Sequence, residues 1–366
     1  MISSQEFTLK DLHQCTEQKH QLVFVFGYRE QFEKEFDFDL VRAKFPNAQI
    51  ITTSTAGHIH ENQFDENIVI SAHHFEKSQI KAFAKNAKVE GKEVSKRLIS
   101  EIPKENLKGL LIIADNTFGN STDLINDLNE EYKGEINIFG GLAGNLDLKV
   151  PSISGLNEAP HENNVIAVGF YGESLTIKTN KVITAKGFGL DYMVSDYDRN
   201  VLIGLNGKPA YEVMYKLLGA ESEKHFEEKI MLYPFLVKTK NRTKFVRSPI
   251  GVDHNTKTLI YGGDFRLGDK VQLTRSDIIE GLEETEEEAS FLGKHKPQMV
   301  FLTSCYGRRI FLNELIHDEV TSLHRGFGEN IKLTGFYSYA EFLTEANNNN
   351  ACEIHNNSIA LVAFTE

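Results

Sequence analysis

Cys305 and Arg308 stand three residues apart where the apolar run FLTSCYGRR ends, the nearest thing in the chain to a reactive pair. A thiolate there could be stabilised by the guanidinium and by a following helix N-terminus, and could serve as the nucleophile of a hydrolase or transferase. The spacing is not that of a phosphatase loop, because the position six residues after the cysteine is Phe311, and no cysteine-protease signature surrounds it. Lining a ligand pocket, or packing, therefore suits Cys305 better than catalysis. Arg308 is the stronger candidate, since its planar fork can clamp a ligand carboxylate. A salt bridge to Glu341 is the alternative.

Histidines offer less. His58 and His60 would share a strand face, and His73 and His74 lie in a strand that could pair nearby. Neutral imidazoles can hold a transition metal, but no cysteine or carboxylate completes a ligand spacing, so no metal site is expected.

These residues hang on a recurring frame. An apolar strand, a helical segment and a second apolar strand end three times in a small-residue bend. The first unit runs from Leu22–Tyr28 to TTSTAG, the second from Gly109–Asp115 to GGLAG, and the third from Gln298–Ser304 to TGFYSYAE. Such units pair their strands in parallel through right-handed crossovers, and ligands favour the carboxyl ends of those strands. The fold expected is α/β (mixed α+β), with two packed domains on mixed sheets. The bends are expected to converge on one cavity, with main-chain amides left free for a guest because glycine permits close approach.

The crossover helices are expected at Phe36–Lys44, Thr122–Tyr132 (capped within Ser121–Asp123) and Arg308–Leu323. Segments 163–172 and 175–189 read as adjacent strands, and Asn347–Asn350 as a loop. A further helix carries Ile278, Leu282, Thr285, Ala289 and Leu292 on one side and a glutamate run on the other, read as a solvated face. Residues 1–20 read as a polar, half-ordered segment, followed by domains at 21–200 and 201–366.

With 366 residues, 40% of them hydrophobic, and a net charge of −12, the chain can bury two cores but offers no phosphate-neutralising surface. Nucleic acid and anionic membranes are thus unexpected partners. Three scattered cysteines, no signal-like start and no apolar run of membrane-spanning length point to a cytoplasmic protein.

Taken in order, TTSTAGHI, FGGLAGN, GLNGKPAYEVMYKLLG, FLTSCYGRR, TGFYSYAEF and EIHNNS resemble the motifs of the FIST family (F-box and intracellular signal transduction), N-terminal and C-terminal domains together. The resemblance implies a sensory module that binds a small ligand, an amino acid or related metabolite, and reports to a separate partner. A histidine kinase or a cyclic-di-GMP enzyme would be that partner. It also places Ser54, Thr55, Gly57, Gly140, Gly141, Ser304, Cys305, Arg308, Gly335, Tyr337, Glu341, His355 and Asn356 at the family's motif positions, as ligand-binding candidates. Some members bind haem and sense nitric oxide. Any haem here would be non-covalent, with His355 or His58 as axial ligand, although His355 is better suited to bonding a backbone carbonyl. Thr53, His58 and Ala340 replace the family's Cys, Glu and Gly, so ligand preference here can differ.

Overall fold

A computed structural model describes residues 1–15, 19–239, 244–328, 330–345 and 350–366. Most of the expected asparagine loop, 347–349, lies outside the described residues.

Each strand–helix–strand stretch is one part of a larger unit, and the unit occurs three times. The first comprises β1 (Ile2–Thr8), β2 (Leu22–Gly27), β3 (Gln49–Ser54), β4 (His58–His60), β5 (Gln63–Asp65) and β6 (Val69–Phe75). The second comprises β7 (Gln79–Asn86), β8 (Leu107–Ala114), β9 (Asn137–Leu142), β10 (Ser154–Leu156) and β11 (Asn164–Tyr171). The third opens with β12 (Thr176–Ile183). It is then interrupted by β13 (Lys186–Asp198), β14 (Val201–Leu205), β15 (Lys208–Pro209), β16 (Phe235–Lys238), β17 (Phe245–Arg247), β18 (Pro249–Asp253), β19 (Thr258–Tyr261) and β20 (Lys270–Arg275). It resumes with β21 (Met299–Cys305), β22 (Leu333–Ser338), β23 (Glu341–Glu345), β24 (Ala351–His355) and β25 (Ser358–Thr365).

The three sheets share one plan: β1-β6-β2-β3, β7-β11-β8-β9 and β12-β25-β21-β22. In each, the two central strands are parallel, with Gly27 opposite Ser54, Ala114 opposite Leu142 and Cys305 opposite Ser338 at their carboxyl ends. The strand or hairpin that follows each second parallel strand leaves its own sheet and extends another. Thus β4–β5 joins β22, β23–β24 joins β9, and β10 joins β3, closing a ring of exchanges. An edge that would otherwise be exposed is covered at each step.

Alternation along the central strands explains their unbroken apolar sequence. Leu22, Phe24 and Phe26 enter the shared core, while Val23 and Val25 face the outer helices. Leu111 and Ile113 in β8, and Met299 and Phe301 in β21, enter the same core, while their neighbours turn outward. Strands buried on both faces read as continuous hydrophobic runs. Rings from different units meet at the centre, Phe24 with Phe301 at 5.2 Å and Phe26 with Phe336 at 5.4 Å between centroids.

Helices cover the outside: α1 (Arg29–Lys34) and α2 (Phe38–Lys44), then α3 (Ala87–Glu90), α4 (Val94–Ser100) and α5 (Ser121–Tyr132). Helices α6 (Ala210–Leu217) and α7 (Glu223–Ile230) pack on the inserted strands, which form a curled half-barrel with its own core. The third unit carries α8 (Ile278–Gly293), α9 (Tyr306–Leu312) and α10 (Ile316–Phe327).

Several local expectations are corrected. The first crossover holds two short helices, because the chain breaks at Glu35–Asp37 and Asp37 caps the second. The third breaks at Asn313, whose φ of 48° is left-handed, giving α9 and α10 instead of one helix. Asn120, not Ser121, caps α5 by accepting from Asp123 N. Strands β11 and β12 follow one another in sequence but enter different sheets. Within residues 1–20, Ile2–Thr8 is a full strand, in register with β6 from Ile2–Phe75 to Thr8–Val69. Residue 200 lies in the turn joining the paired strands β13 and β14, and all three repeated sheets hold residues from distant parts of the chain.

Candidate functional site

The three bends do meet. Ala56 N donates to Tyr337 O at 2.9 Å and Tyr337 N to Gly57 O at 2.8 Å, joining the first bend to the third. Gly144 N donates to Ser54 O at 3.0 Å, and Leu142 N to Ala340 O at 2.9 Å. A Cβ on Gly144 would lie 3.0 Å from both Ala56 N and Tyr337 O, so all three bends touch at that glycine. These bonds correct one expectation. These four amides are spent on carbonyls of the neighbouring bends and are not left open around a cavity.

Beneath the bends lies a buried polar cluster. Arg308 Nε donates to Glu319 Oε2 at 2.6 Å and its Nη1 to Thr184 Oγ1 at 2.9 Å. Ser304 Oγ and Tyr337 Oη donate to Glu319 Oε1 at 3.0 and 2.9 Å. Arg308 and Glu319 are 3% and 0% exposed, so the pair is a closed internal lock. The partner of Arg308 is therefore Glu319 on α10, not Glu341, and two edges of its fork are filled.

Glu341 accepts from Ser338 Oγ at 2.8 Å and Ser358 Oγ at 2.7 Å, yet full burial raises it to about 8. Cys305 is buried against it. Burial first, then that carboxyl, pushes the thiol well above its ordinary range, the opposite of an activated nucleophile.

Other candidates also bond within the fold. Ser54 Oγ accepts from Ile153 N at 2.9 Å, and Thr55 Oγ1 lies 3.1 Å from His58 Nδ1. Nε2 of His58 meets Asn67 O, and burial lowers this histidine to about 4. His355 Nε2 lies 2.8 Å from Glu345 Oε1, which also takes Lys181. Asn356 Oδ1 accepts from Ser248 N at 3.2 Å, tying the β24–β25 turn to the half-barrel. A Cβ at Gly140 or Gly335 would fall 2.0 Å from Ile112 O or Leu302 O, and one at Gly141 2.5 Å from Ala340 O. These glycines let strands and bends close together.

The scaffold reaches solvent at the seam between the first and third units. Gly57 has φ of 113°, and a Cβ there would sit 2.5 Å from the Phe64 ring and 3.2 Å from Arg309 Nη1. Its absence lets Arg309 fold against the bend, donating to Ala56 O and, at 3.1 Å, to Tyr28 Oη. The guanidinium stands 5.0 Å from the Phe64 ring centre and 5.8 Å from that of Tyr28. Nη2 of Arg309 and Oη of Tyr28 both donate to Oε1 of Glu66, at 2.6 and 2.5 Å. A hydroxyl and a guanidinium are thus aimed at one carboxylate oxygen between aromatic faces. Side-chain exposure is 19% for Arg309 and 56% for Glu66.

Sequence reasoning passed over Tyr28, Arg309 and Glu319. Tyr28 follows β2 as Tyr306 follows β21, and Arg309 adjoins the arginine chosen as the clamp. That adjacency was the available signal: neighbours on a helix point about 100° apart, so one of a pair turns inward and the other outward.

Two grooves lie elsewhere. One of about 620 Å³ runs along α8 between Glu283, Glu286, Glu287, Phe291 and Lys294. The other, about 560 Å³, lies on the half-barrel between Tyr192, Leu205, Lys208, Val213 and Lys216. Neither is lined by a histidine. Both ring nitrogens of His58 are engaged and His355 is enclosed beside Glu345, so neither fits the axial position of a haem.

The architecture is that of a bonded scaffold with a half-exposed Tyr28–Arg309–Glu66 cluster at its edge. The chain belongs to the FIST family: the FIST N domain matches residues 21–208 and the FIST C domain residues 210–344. FIST domains are sensory, small-ligand-binding domains of signalling proteins. No curated protein matches. A solved chorismatase is similar at 6% identity and a TM-score of 0.38, covering 100% of this chain and 98% of the chorismatase. Among the described residues no helix is long and apolar enough to cross a membrane.

Proposed function

We propose that this protein is a cytoplasmic sensor for a small carboxylate-bearing metabolite, an amino acid or a relative of one, and that it regulates a separate signalling protein. One observation carries the reading: Tyr28 Oη and Arg309 Nη2 converge on a single carboxylate oxygen at the seam. Charge-assisted bonds of this type orient a carboxylate, and the flanking rings of Tyr28 and Phe64 suit an apolar or cationic remainder. The seam joins the first unit to the third. A ligand that prefers one arrangement of the first and third units would shift the population of that arrangement by its differential affinity. A histidine kinase or a cyclic-di-GMP enzyme is the partner class the family suggests.

The test is native mass spectrometry and calorimetry of the full chain with single amino acids and 2-oxo acids. Saturable binding that falls at least about tenfold in Arg309→Met and in Tyr28→Phe is expected, the loss of one charge-assisted hydrogen bond being worth roughly 1.5–3 kcal/mol. Binding that ignores both substitutions would refute the site. The hydrolase or transferase reading of Cys305 gains nothing from a buried, protonated thiol.

A further inference from the structure

The carboxylate in the seam belongs to the protein itself. Glu66 sits in the connection Glu66–Ile68 between β5 and β6, and its backbone is pinned independently of its side chain. Glu66 N and Asn67 N donate to Asp65 Oδ1 at 2.6 and 2.7 Å. Gln31 Nε2 donates to Glu66 O at 3.0 Å, and Asn67 O is held by His58. The side chain, by contrast, is tethered by Tyr28 and Arg309 and is 56% exposed. Rotation about its own bonds would free the cradle without moving the loop, and exposed rotamers interchange on a picosecond-to-nanosecond scale.

Resting on the reading of this seam as a carboxylate site, we infer that Glu66 is a built-in competitor: its carboxylate fills the position a ligand carboxylate would take and must swing out before the ligand enters. The bonds of Arg309 to Ala56 O and Tyr28 Oη do not involve Glu66, so the cradle does not depend on its present occupant. The consequence is a raised sensing threshold. A cradle filled about nine-tenths of the time weakens apparent affinity about tenfold, because apparent affinity scales with the free fraction. The exchange trades one carboxylate for another, so the charge on Arg309 is balanced in both states.

The experiment uses benzoate and acetate as probes, titrated calorimetrically into the full-length wild type, Glu66→Gln, Glu66→Ala and the double variant Glu66→Gln with Arg309→Met. Thermal melting of each variant confirms folding. The proposal expects both single variants to bind benzoate about tenfold more tightly than wild type, and the double variant to lose that gain. Equal affinity in wild type and both single variants, with the Arg309 dependence intact, would overturn the competitor while leaving the carboxylate site standing. Tighter binding that persists without Arg309 would overturn both, as would the absence of binding to every variant.

Discussion

Arg309 donates a 3.1 Å hydrogen bond to the hydroxyl of Tyr28, a residue 281 positions earlier in the chain. That contact exists because β4–β5 of the first unit extends the sheet of the third, bringing Phe64 and the TSTAG bend against α9. Replacing Tyr28 with Phe should leave folding intact and weaken ligand binding about tenfold, read by calorimetry. Equal binding would separate the hydroxyl from recognition.

The Arg308–Glu319 lock predicts a different phenotype from its neighbour. Arg308→Met leaves a carboxylate buried without its cation and should cost about 3–5 kcal/mol, seen as a lower urea midpoint with an unchanged slope. Adding Glu319→Leu to that variant removes the stranded carboxylate but takes the partner from the Ser304 and Tyr337 hydroxyls, so it should restore only part of the loss. A mild effect of Arg308→Met alone would argue against a buried ionic lock.

Close approach of the strands makes Gly140 and Gly335 intolerant. With a Cβ 2.0 Å from a facing carbonyl oxygen, Gly140→Ala or Gly335→Ala should cost about 3 kcal/mol or more. Thermal melting checks this, and Gly219→Ala is the control. The space there is open, but φ is 58°, so the control should lose about 1 kcal/mol from backbone strain alone.

Stability should respond to pH in two windows. Glu341 binds its proton up to about 8 in the fold against 4.5 when unfolded. The native state therefore holds more protons between those values, and stability falls as pH rises through them. His58, lowered to about 4 from 6.5, works the other way: the unfolded chain holds more protons, so stability falls as pH drops through that window. Between 4.5 and 6.5 the two slopes oppose each other. Urea titrations of Glu341→Gln should therefore lose the fall in stability between 6.5 and about 8, and reveal the full acid fall from 6.5 towards about 4. The reverse pattern would reassign both groups.

If Cys305 only packs, Cys305→Ser should cost about 1–2 kcal/mol of stability and leave ligand affinity unchanged, with no turnover lost. A slow activity that disappears with the thiol would revive the nucleophile.

The three parallel pairs were legible because two-sided burial writes continuous apolar runs such as LVFVF and GLLII, and the bends announced themselves through glycine. The swaps were not. Nothing in HIH or SGL says which sheet will receive it, because strand exchange is settled by how the units fit around the phenylalanine core. Motif residues do not by type separate a ligand contact from a scaffold contact: Gly335 admits a facing carbonyl, and Tyr337 and Ser304 satisfy Glu319. Arg308 and Arg309 look identical in sequence. Their different duties follow from the direction each takes from α9.

The most direct test of the seam is side-chain NMR. The Nε–Hε resonance of Arg309, assigned by its loss in Arg309→Lys, is followed while a binding amino acid or 2-oxo acid is added to the wild type. The account predicts a saturable shift of that resonance with the same dissociation constant as calorimetry. Saturable binding that leaves the Arg309 resonance in place, and moves residues of the half-barrel groove instead, would contradict it.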